Sequence, residues 1–238
     1  MAEPPLLEAR AVTRVYPGAV GVTAVRDVSL SLERRDFTLV MGPSGSGKTT
    51  FLGMLAGFDR PDDGQVRWQG RPFDDLDRED LLLVRRTGLA VVFQSYGLLP
   101  SLSAVENVEL PLRMAGVDLA EARERAGGWL ERLDLGHRLD HRTFELSGGQ
   151  QQRVAVARAL VVEPDVILAD EPIAEVDSEN ADLILSALWE VVVRDGAVLA
   201  ATHNPEALRY ASRVVLFRDG AVEAEGSPEE VASQLTTD

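Results

Sequence analysis

The sequence predicts an α/β protein built on a mainly parallel sheet, with an antiparallel β portion at the N-terminus and a helical segment inserted into the core. Three observations carry this expectation. Short apolar runs alternate with helix-compatible stretches, which implies parallel strands joined by crossover helices. The opening segments instead alternate apolar and polar residues, the period of strands with one buried face. Residues from about 100 to 160 carry helical patterns and no clear strand.

In chain order, Ala11 to Tyr16 and Val22 to Leu32 read as antiparallel strands separated by a Pro17-Gly18 turn. Phe37 to Met41 is an apolar run of buried-strand type. It leads into a glycine-rich stretch, Gly42 to Thr50, and then a helix through Ala56. Asp62-Asp63-Gly64 marks a turn before a strand at Gln65 to Gln69. Arg78 to Arg86 is helical, and Gly88 to Phe93 is another buried strand. Helices at Ala104 to Met114, Leu119 to Leu133 and Gln150 to Val162 make up the insertion. Strands follow at Asp165 to Ala169, Ala197 to Ala201 and Arg213 to Phe217, with a helix at Ser178 to Arg194 between the first two. Ser227 to Gln234 forms a last helix, with Ser227 as cap and Pro228 at the first position. The expected organisation is one domain over 1–238. Residues 1–93 and 163–238 form the core, and about 94–162 form the helical part.

Composition narrows the function classes. The chain has 238 residues and a formal net charge of −15. A field of that sign repels nucleic acid and anionic lipid heads, so no nucleic-acid partner and no direct membrane insertion are expected. No apolar run reaches the roughly 18 residues of a membrane-spanning helix. The N-terminus lacks the basic start and apolar core of a secretory signal. Cysteine is absent, which excludes disulfides and thiolate metal sites. A cytoplasmic protein is expected, with any membrane association made through a protein partner.

The 24 basic residues include a single lysine, Lys48. It sits in Gly42-Pro43-Ser44-Gly45-Ser46-Gly47-Lys48-Thr49-Thr50, which matches the P-loop pattern between a strand and a helix. Glycines let successive N–H groups turn toward phosphates, and the helix adds its positive N-terminal end. In such a loop Lys48 reaches the β- and γ-phosphates, and the Thr49 hydroxyl binds Mg²⁺. Asp170 ends the apolar run Val166 to Ala169, at the carboxyl end of a strand, where open α/β sheets bind ligands. An acid there can hold Mg²⁺. Glu171 follows at once, and its side chain points elsewhere because side chains alternate along a strand.

Leu146-Ser147-Gly148-Gly149-Gln150 precedes a helix and offers a cap with close backbone approach to an anion. Together with the P-loop, and about twenty residues before Val166 to Glu171, this segment resembles the signature of the ABC ATPase family. The resemblance covers essentially the whole chain and implies a P-loop NTPase core of the ABC type. It assigns Glu171 the activation of the attacking water. Gln94, after Val91-Val92-Phe93, matches the glutamine that senses Mg²⁺ or water. His203, in Thr202-His203-Asn204, matches the histidine that contacts the γ-phosphate. Tyr16 matches the aromatic that stacks on adenine. ATP and Mg²⁺ are the implied cofactors. Ser147, Gly148, Gly149 and Gln150 would serve the ATP of a second nucleotide-binding domain, a homodimer mate or a paralogue.

The resemblance further implies an ATP-hydrolysing subunit on the cytoplasmic face of the membrane, driving a separate permease. The alternative is a non-transport envelope process run through a membrane partner. Ser95 to Pro100, Ser103 to Val108 and Asp177 to Asn180 look like the MacB/LolD/FtsE-type branch. Leu98-Leu99-Pro100 would edge the groove that receives the permease. One departure is the run Ile173-Ala174-Glu175-Val176 before Asp177, where Ile173, Glu175 and Val176 are atypical of the family.

Overall fold

The computed structural model describes residues 3–18, 21–174 and 176–235. Two sheets organise them. Strands β1 (Leu7–Tyr16), β2 (Val22–Leu32), β4 (Asp63–Trp68) and β5 (Arg71–Pro72) form an antiparallel sheet in the order β2-β1-β4-β5. The larger sheet has the order β10-β9-β3-β8-β7-β6. Its members are β3 (Phe37–Met41), β6 (Leu89–Val92), β7 (Val166–Asp170), β8 (Ala197–Ala201), β9 (Arg213–Arg218) and β10 (Ala221–Gly226). All its pairs are parallel except β9–β10.

The buried strands show why the sheet needs cover on both faces. Phe37, Leu39 and Met41 of β3 pack into one apolar cluster, and Val40 packs into the other. Ile167 and Ala169 of β7 point to the first cluster, while Val166 and Leu168 point to the second. That is the two-residue period of a strand with apolar layers on both sides. The first cluster also takes side chains from α3 (Ala104–Met114), α4 (Leu119–Arg132), α5 (Gly148–Leu160) and α6 (Ser178–Val193). The second takes α1 (Lys48–Leu55) and the inner face of the antiparallel sheet.

Helix starts follow the sequence closely, because caps are local. Ser103 and Glu106 form a reciprocal capping box on α3, and Ser147 and Gln150 form one on α5. Asp177 caps α6 through the Asn180 N–H at 2.9 Å. Ser227 caps α7 (Pro228–Leu235) as expected, with Glu230 N–H 3.3 Å from its hydroxyl.

Several elements differ from the sequence reading. Helix α5 begins at Gly148 and not at Gln150, since the Ser147 cap draws both glycines into the first turn. Helix α2 (Arg78–Leu83) stops early, and a single π turn, Val84–Gly88, carries the chain into β6. Strand β10 was not read from the sequence at all. Its hairpin turns at Asp219 (φ 50°) and Gly220 (φ 79°), the paired positive φ values of a two-residue type I′ turn. Among the described residues, no helix is long and apolar enough to cross a membrane.

Candidate functional site

Strands β3, β8 and β7 are neighbours in that order and run parallel, with β6 beside β7, so their carboxyl ends share one edge. The segments following them carry the P-loop, Thr202-His203, Asp170-Glu171 and Gln94 respectively. This is the edge where open α/β sheets bind ligands.

The P-loop curls because glycine supplies conformations that other residues resist. Gly42 has φ 147°, and a Cβ there would lie 2.1 Å from the Phe217 carbonyl oxygen. Gly47 has φ 102°, and a Cβ there would lie 2.2 Å from the Ala24 carbonyl oxygen. The hairpin turn straps the loop from outside, since Gly220 N–H donates to the Ser46 carbonyl at 3.0 Å. Lys48 is buried and folds back over the loop, donating to the carbonyls of Gly42 (2.8 Å) and Pro43 (2.9 Å). The buried Ser46 hydroxyl oxygen has no hydrogen-bond partner among the described residues. A loop with an unpaired buried hydroxyl and a lysine bonded to its own carbonyls is suited to an incoming anion.

A cleft of about 430 Å³ opens beside the loop. Gly45, Gly47, Lys48, Thr49 and Thr50 line it, as the sequence predicts. Its far wall was not foreseen: Val22 to Ala24 and Arg26 from β2, with Asp219 and Gly220 from the hairpin. The Asp-Gly pair is a legible hairpin signal, but its place against the P-loop depends on sheet order. Ser44 is exposed at the loop tip.

The two carboxylates diverge, though not by strand alternation as expected, because β7 ends at Asp170 and Glu171 belongs to the turn beyond it. Asp170 is buried and accepts a hydrogen bond from the Thr49 hydroxyl. Burial raises its carboxyl above the ordinary value, and the Glu171 charge adds to this, against the pull of Thr49 and Lys48. Glu171 leaves the strand in a left-handed conformation, φ 49°. Its N–H still donates to the Ala201 carbonyl at 2.8 Å. That turn aims its side chain at the loop after β8. Oε2 accepts from the Thr202 hydroxyl at 3.0 Å, and Oε1 lies 2.8 Å from His203 Nδ1. Thr202 is fully buried, while the His203 side chain is 70% exposed, so one buried and one exposed group hold the same carboxylate. Gln94 is exposed just beyond β6. Sequence reasoning missed Thr202, although it adjoins His203.

Gly42, Ser44, Ser46, Gln94, Asp170, Glu171 and His203 stand outside this cleft's lining, and so do the signature residues and Tyr16. Ser147, Gly148, Gly149 and Gln150 form the first turn of α5, where Ser147 and Gln150 are bonded to each other. Tyr16 stands opposite Val22 in the β1–β2 ladder, one strand away from the lining. Its hydroxyl donates to Asp59 at 2.8 Å. Of the atypical run before Asp177, Ile173 is fully buried and Val176 packs against the core, so both are accounted for by packing. Glu175 lies outside the described residues.

A second concavity, about 350 Å³, separates the loop after β6 from α3. Phe58 and Phe93 stack across it with ring centres 5.5 Å apart, and Met114 is 65% exposed at its rim. Arg158 pins the adjoining loop by donating to the carbonyls of Gly97 (2.6 Å) and Tyr96 (2.8 Å). Leu99 is held by Asn107, which bonds both its N–H (2.8 Å) and its carbonyl (3.1 Å).

Comparison with known proteins agrees with this geometry. Residues 25–174 match the family described as ABC transporter. The chain is 42% identical over 97% of its length to a macrolide export ATP-binding/permease protein MacB of Hyphomonas neptunium, of which it spans 36%. It is 38% identical over 91% of its length to an uncharacterised ABC transporter ATP-binding protein, MJ1508, of Methanocaldococcus jannaschii, of which it spans 97%. Among solved structures it resembles the dimeric post-hydrolysis state of the ATP-binding cassette MJ0796 bound to ADP and Pi. The TM-score is 0.88 at 37% identity, covering 93% of this chain and 98% of that one. The chain thus spans about a third of the MacB relatives and nearly all of the free-standing cassettes. A P-loop, an adjoining pair of carboxylates and a capped LSGGQ helix on this fold place the chain in the ABC transporter family, as an ATP-binding cassette that hydrolyses ATP.

Proposed function

We propose that two such cassettes close around ATP and Mg²⁺ and pass that movement to a membrane permease from the cytoplasmic face. Each nucleotide would lie between the P-loop of one cassette and Ser147 to Gln150 of the other. The observation that carries this reading is the separation within one chain. The P-loop, Asp170, Glu171 and His203 share one sheet edge, while the signature turn stands on α5 outside the cleft. A second copy supplies what the cleft lacks.

Within the site, Lys48 exchanges its loop carbonyls for β- and γ-phosphate oxygens. The unpaired Ser46 hydroxyl gains an acceptor. Thr49 and Asp170 would hold Mg²⁺, with Gln94 reaching toward it. Two hard oxygen donors suit an ion that keeps several waters and shares its remaining positions with phosphates. When bound, that ion neutralises charge developing on the phosphates. Glu171 takes a proton from the attacking water at a carboxylate oxygen, and His203 turns from Glu171 to the γ-phosphate. Both Glu171 oxygens are engaged in this structure, so closure must release one of them. Tyr16 stacks on adenine.

The groove lined by Phe58, Phe93 and Met114 supports docking of a permease segment there. Exposed aromatic and methionine side chains beside a charged rim are common anchors. Residues 94–162 would then move as the unit that links the groove to the signature turn. The MacB relatives are ATP-binding/permease proteins, with both functions in one polypeptide.

Light scattering of a Glu171→Gln variant tests the reading. With ATP it should form a long-lived dimer, and adding Ser147→Arg should return it to monomer with ATP still bound. A Glu171→Gln chain that stays monomeric at saturating ATP would contradict the proposal.

A further inference from the structure

The N-terminal sheet carries an ordered polar cluster around Tyr16 whose other members no step above uses. Strand β1 holds one extra residue opposite β2 between Ala9 and Val12, and Ala11 takes φ 50°. Such a bulge reverses the alternation. Ala9 and Val12 are therefore both buried, and Arg14 and Tyr16 follow Val12 on the same face. They meet the loop after α1. Arg14 Nε donates to Asp59 Oδ2 at 2.9 Å, Nη2 lies 2.8 Å from Asp59 Oδ1, and Nη1 donates to Asp62 Oδ1 at 3.0 Å. The other Asp62 oxygen accepts the Val15 N–H at 2.7 Å.

Tyr16 is caught in the same cluster twice. Its hydroxyl donates to Asp59 Oδ2 at 2.8 Å, and the Arg14 guanidinium carbon lies 4.9 Å from its ring centre. Burial raises the Asp59 carboxyl, but the Tyr16 hydroxyl and the Arg14 guanidinium outweigh it and hold the group below its ordinary value. A tyrosine has two side-chain torsions, and two contacts at different points of the ring fix both. The ring remains 39% exposed.

We propose that Arg14 and Asp59 are positioning residues for the purine base. They clamp Tyr16 so that the ring face not covered by Arg14 is presented to adenine. This rests on the stacking role given to Tyr16 above. Three features support it. Val22, opposite Tyr16 in the ladder, lines the phosphate cleft, so a base on Tyr16 would lie one strand from the phosphates. A phenol that donates to a carboxylate gains electron density in its ring, which strengthens the hold of the Arg14 cation on one face and leaves the other for the base. The clamp also ties β1 to the chain leaving α1, whose first turn begins the phosphate site. A ring held in place before binding loses less freedom when the base arrives.

Calorimetric titration of the full chain with MgATP, and separately with inorganic tripolyphosphate, tests the clamp. Asp59→Asn, Arg14→Gln and Tyr16→Phe should each weaken ATP binding by about fivefold, the scale of a partly exposed cation–π or stacking contact. Tripolyphosphate, which has no base, should bind each variant as it binds the natural chain. Tyr16→Phe combined with Asp59→Asn should lose less than the sum of the two single losses, because the Tyr16–Asp59 hydrogen bond is common to both. Equal losses for the two ligands would reduce the cluster to a scaffold for the loop after α1 and overturn the proposal, as would additive losses in the double variant. Tyr16→Ala separates the two layers. If it leaves the ratio of ATP to tripolyphosphate affinity unchanged, the stacking role of Tyr16 fails. If that ratio falls while Asp59→Asn and Arg14→Gln leave it unchanged, stacking stands and the clamp fails.

Discussion

Glu171 Oε1 and His203 Nδ1 lie 2.8 Å apart across 32 residues of sequence. One is the carboxylate assigned to water activation and the other the histidine assigned to the γ-phosphate. In this structure they hold each other. Replacing the histidine removes this partner of Glu171 and, with it, the group proposed to meet the γ-phosphate once closure frees it. His203→Ala should therefore lower kcat by about a hundredfold, the usual scale for a positioned proton-transfer group, with a KM within a few-fold of the natural value. A steady-state ATPase assay reads both constants, and an unchanged kcat would remove His203 from the reaction.

Lys48 donates to two carbonyls of its own loop, which holds its charge where the phosphates are proposed to bind. Lys48→Ala should weaken MgATP binding by about a hundredfold or more, since charge-assisted hydrogen bonds to phosphate are among the strong ones. Calorimetry giving the natural affinity for this variant would refute the phosphate-loop assignment.

Gly47 combines φ 102° with a Cβ position 2.2 Å from a backbone oxygen. Gly47→Ala must either shift the loop or move β2. The expected cost is about 2 kcal/mol or more, from left-handed strain plus the clash. Denaturant unfolding measures it. A loss under about 0.5 kcal/mol, the range of neutral surface changes, would show that the loop relaxes freely.

Glu106 supplies a pH-dependent contribution away from the site. Its Oε2 accepts the Ser103 N–H at 2.7 Å and the Arg142 guanidinium at 3.0 Å. The Ser103 backbone bond is the main cause that holds its carboxyl below the ordinary 4.5. Burial opposes this, and the Ser103 hydroxyl, Arg142 and Arg123 assist it. A depressed carboxyl stabilises the fold above its unfolded value and loses that contribution as pH falls through the folded value. The melting temperature of Glu106→Gln should therefore lie below that of the natural chain at neutral pH. The two curves should converge on acidification below the ordinary value. A gap that persists in acid would assign the effect to packing of the side chain.

Much of this architecture is local, and local features were legible. The Phe37 to Met41 run, the glycines after it and Lys48 predict strand, loop and helix by themselves, because φ preference and side-chain period act over a few residues. Ser147 and Ser227 mark helix starts for the same reason, while the caps at Ser103 and Asp177 were recognised only in the structure. Strand β1 was read only from Ala11 onward, since the bulge there breaks the alternation that identifies a strand, and the true start is Leu7.

By itself the sequence determined most of the element types, the caps of α5 and α7, the glycine-rich loop pattern and the chemical identity of the groups at the sheet edge. It did not determine which groups touch. That the hairpin turn at Asp219-Gly220 walls the cleft, that Thr202 and His203 share one carboxylate, and that Tyr16 reaches Asp59 all follow from strand order and from the turn at Glu171. Such contacts join residues tens of positions apart. They form only when apolar layers on both faces of the sheet fix the strands in one order, and no periodicity along the chain encodes that order.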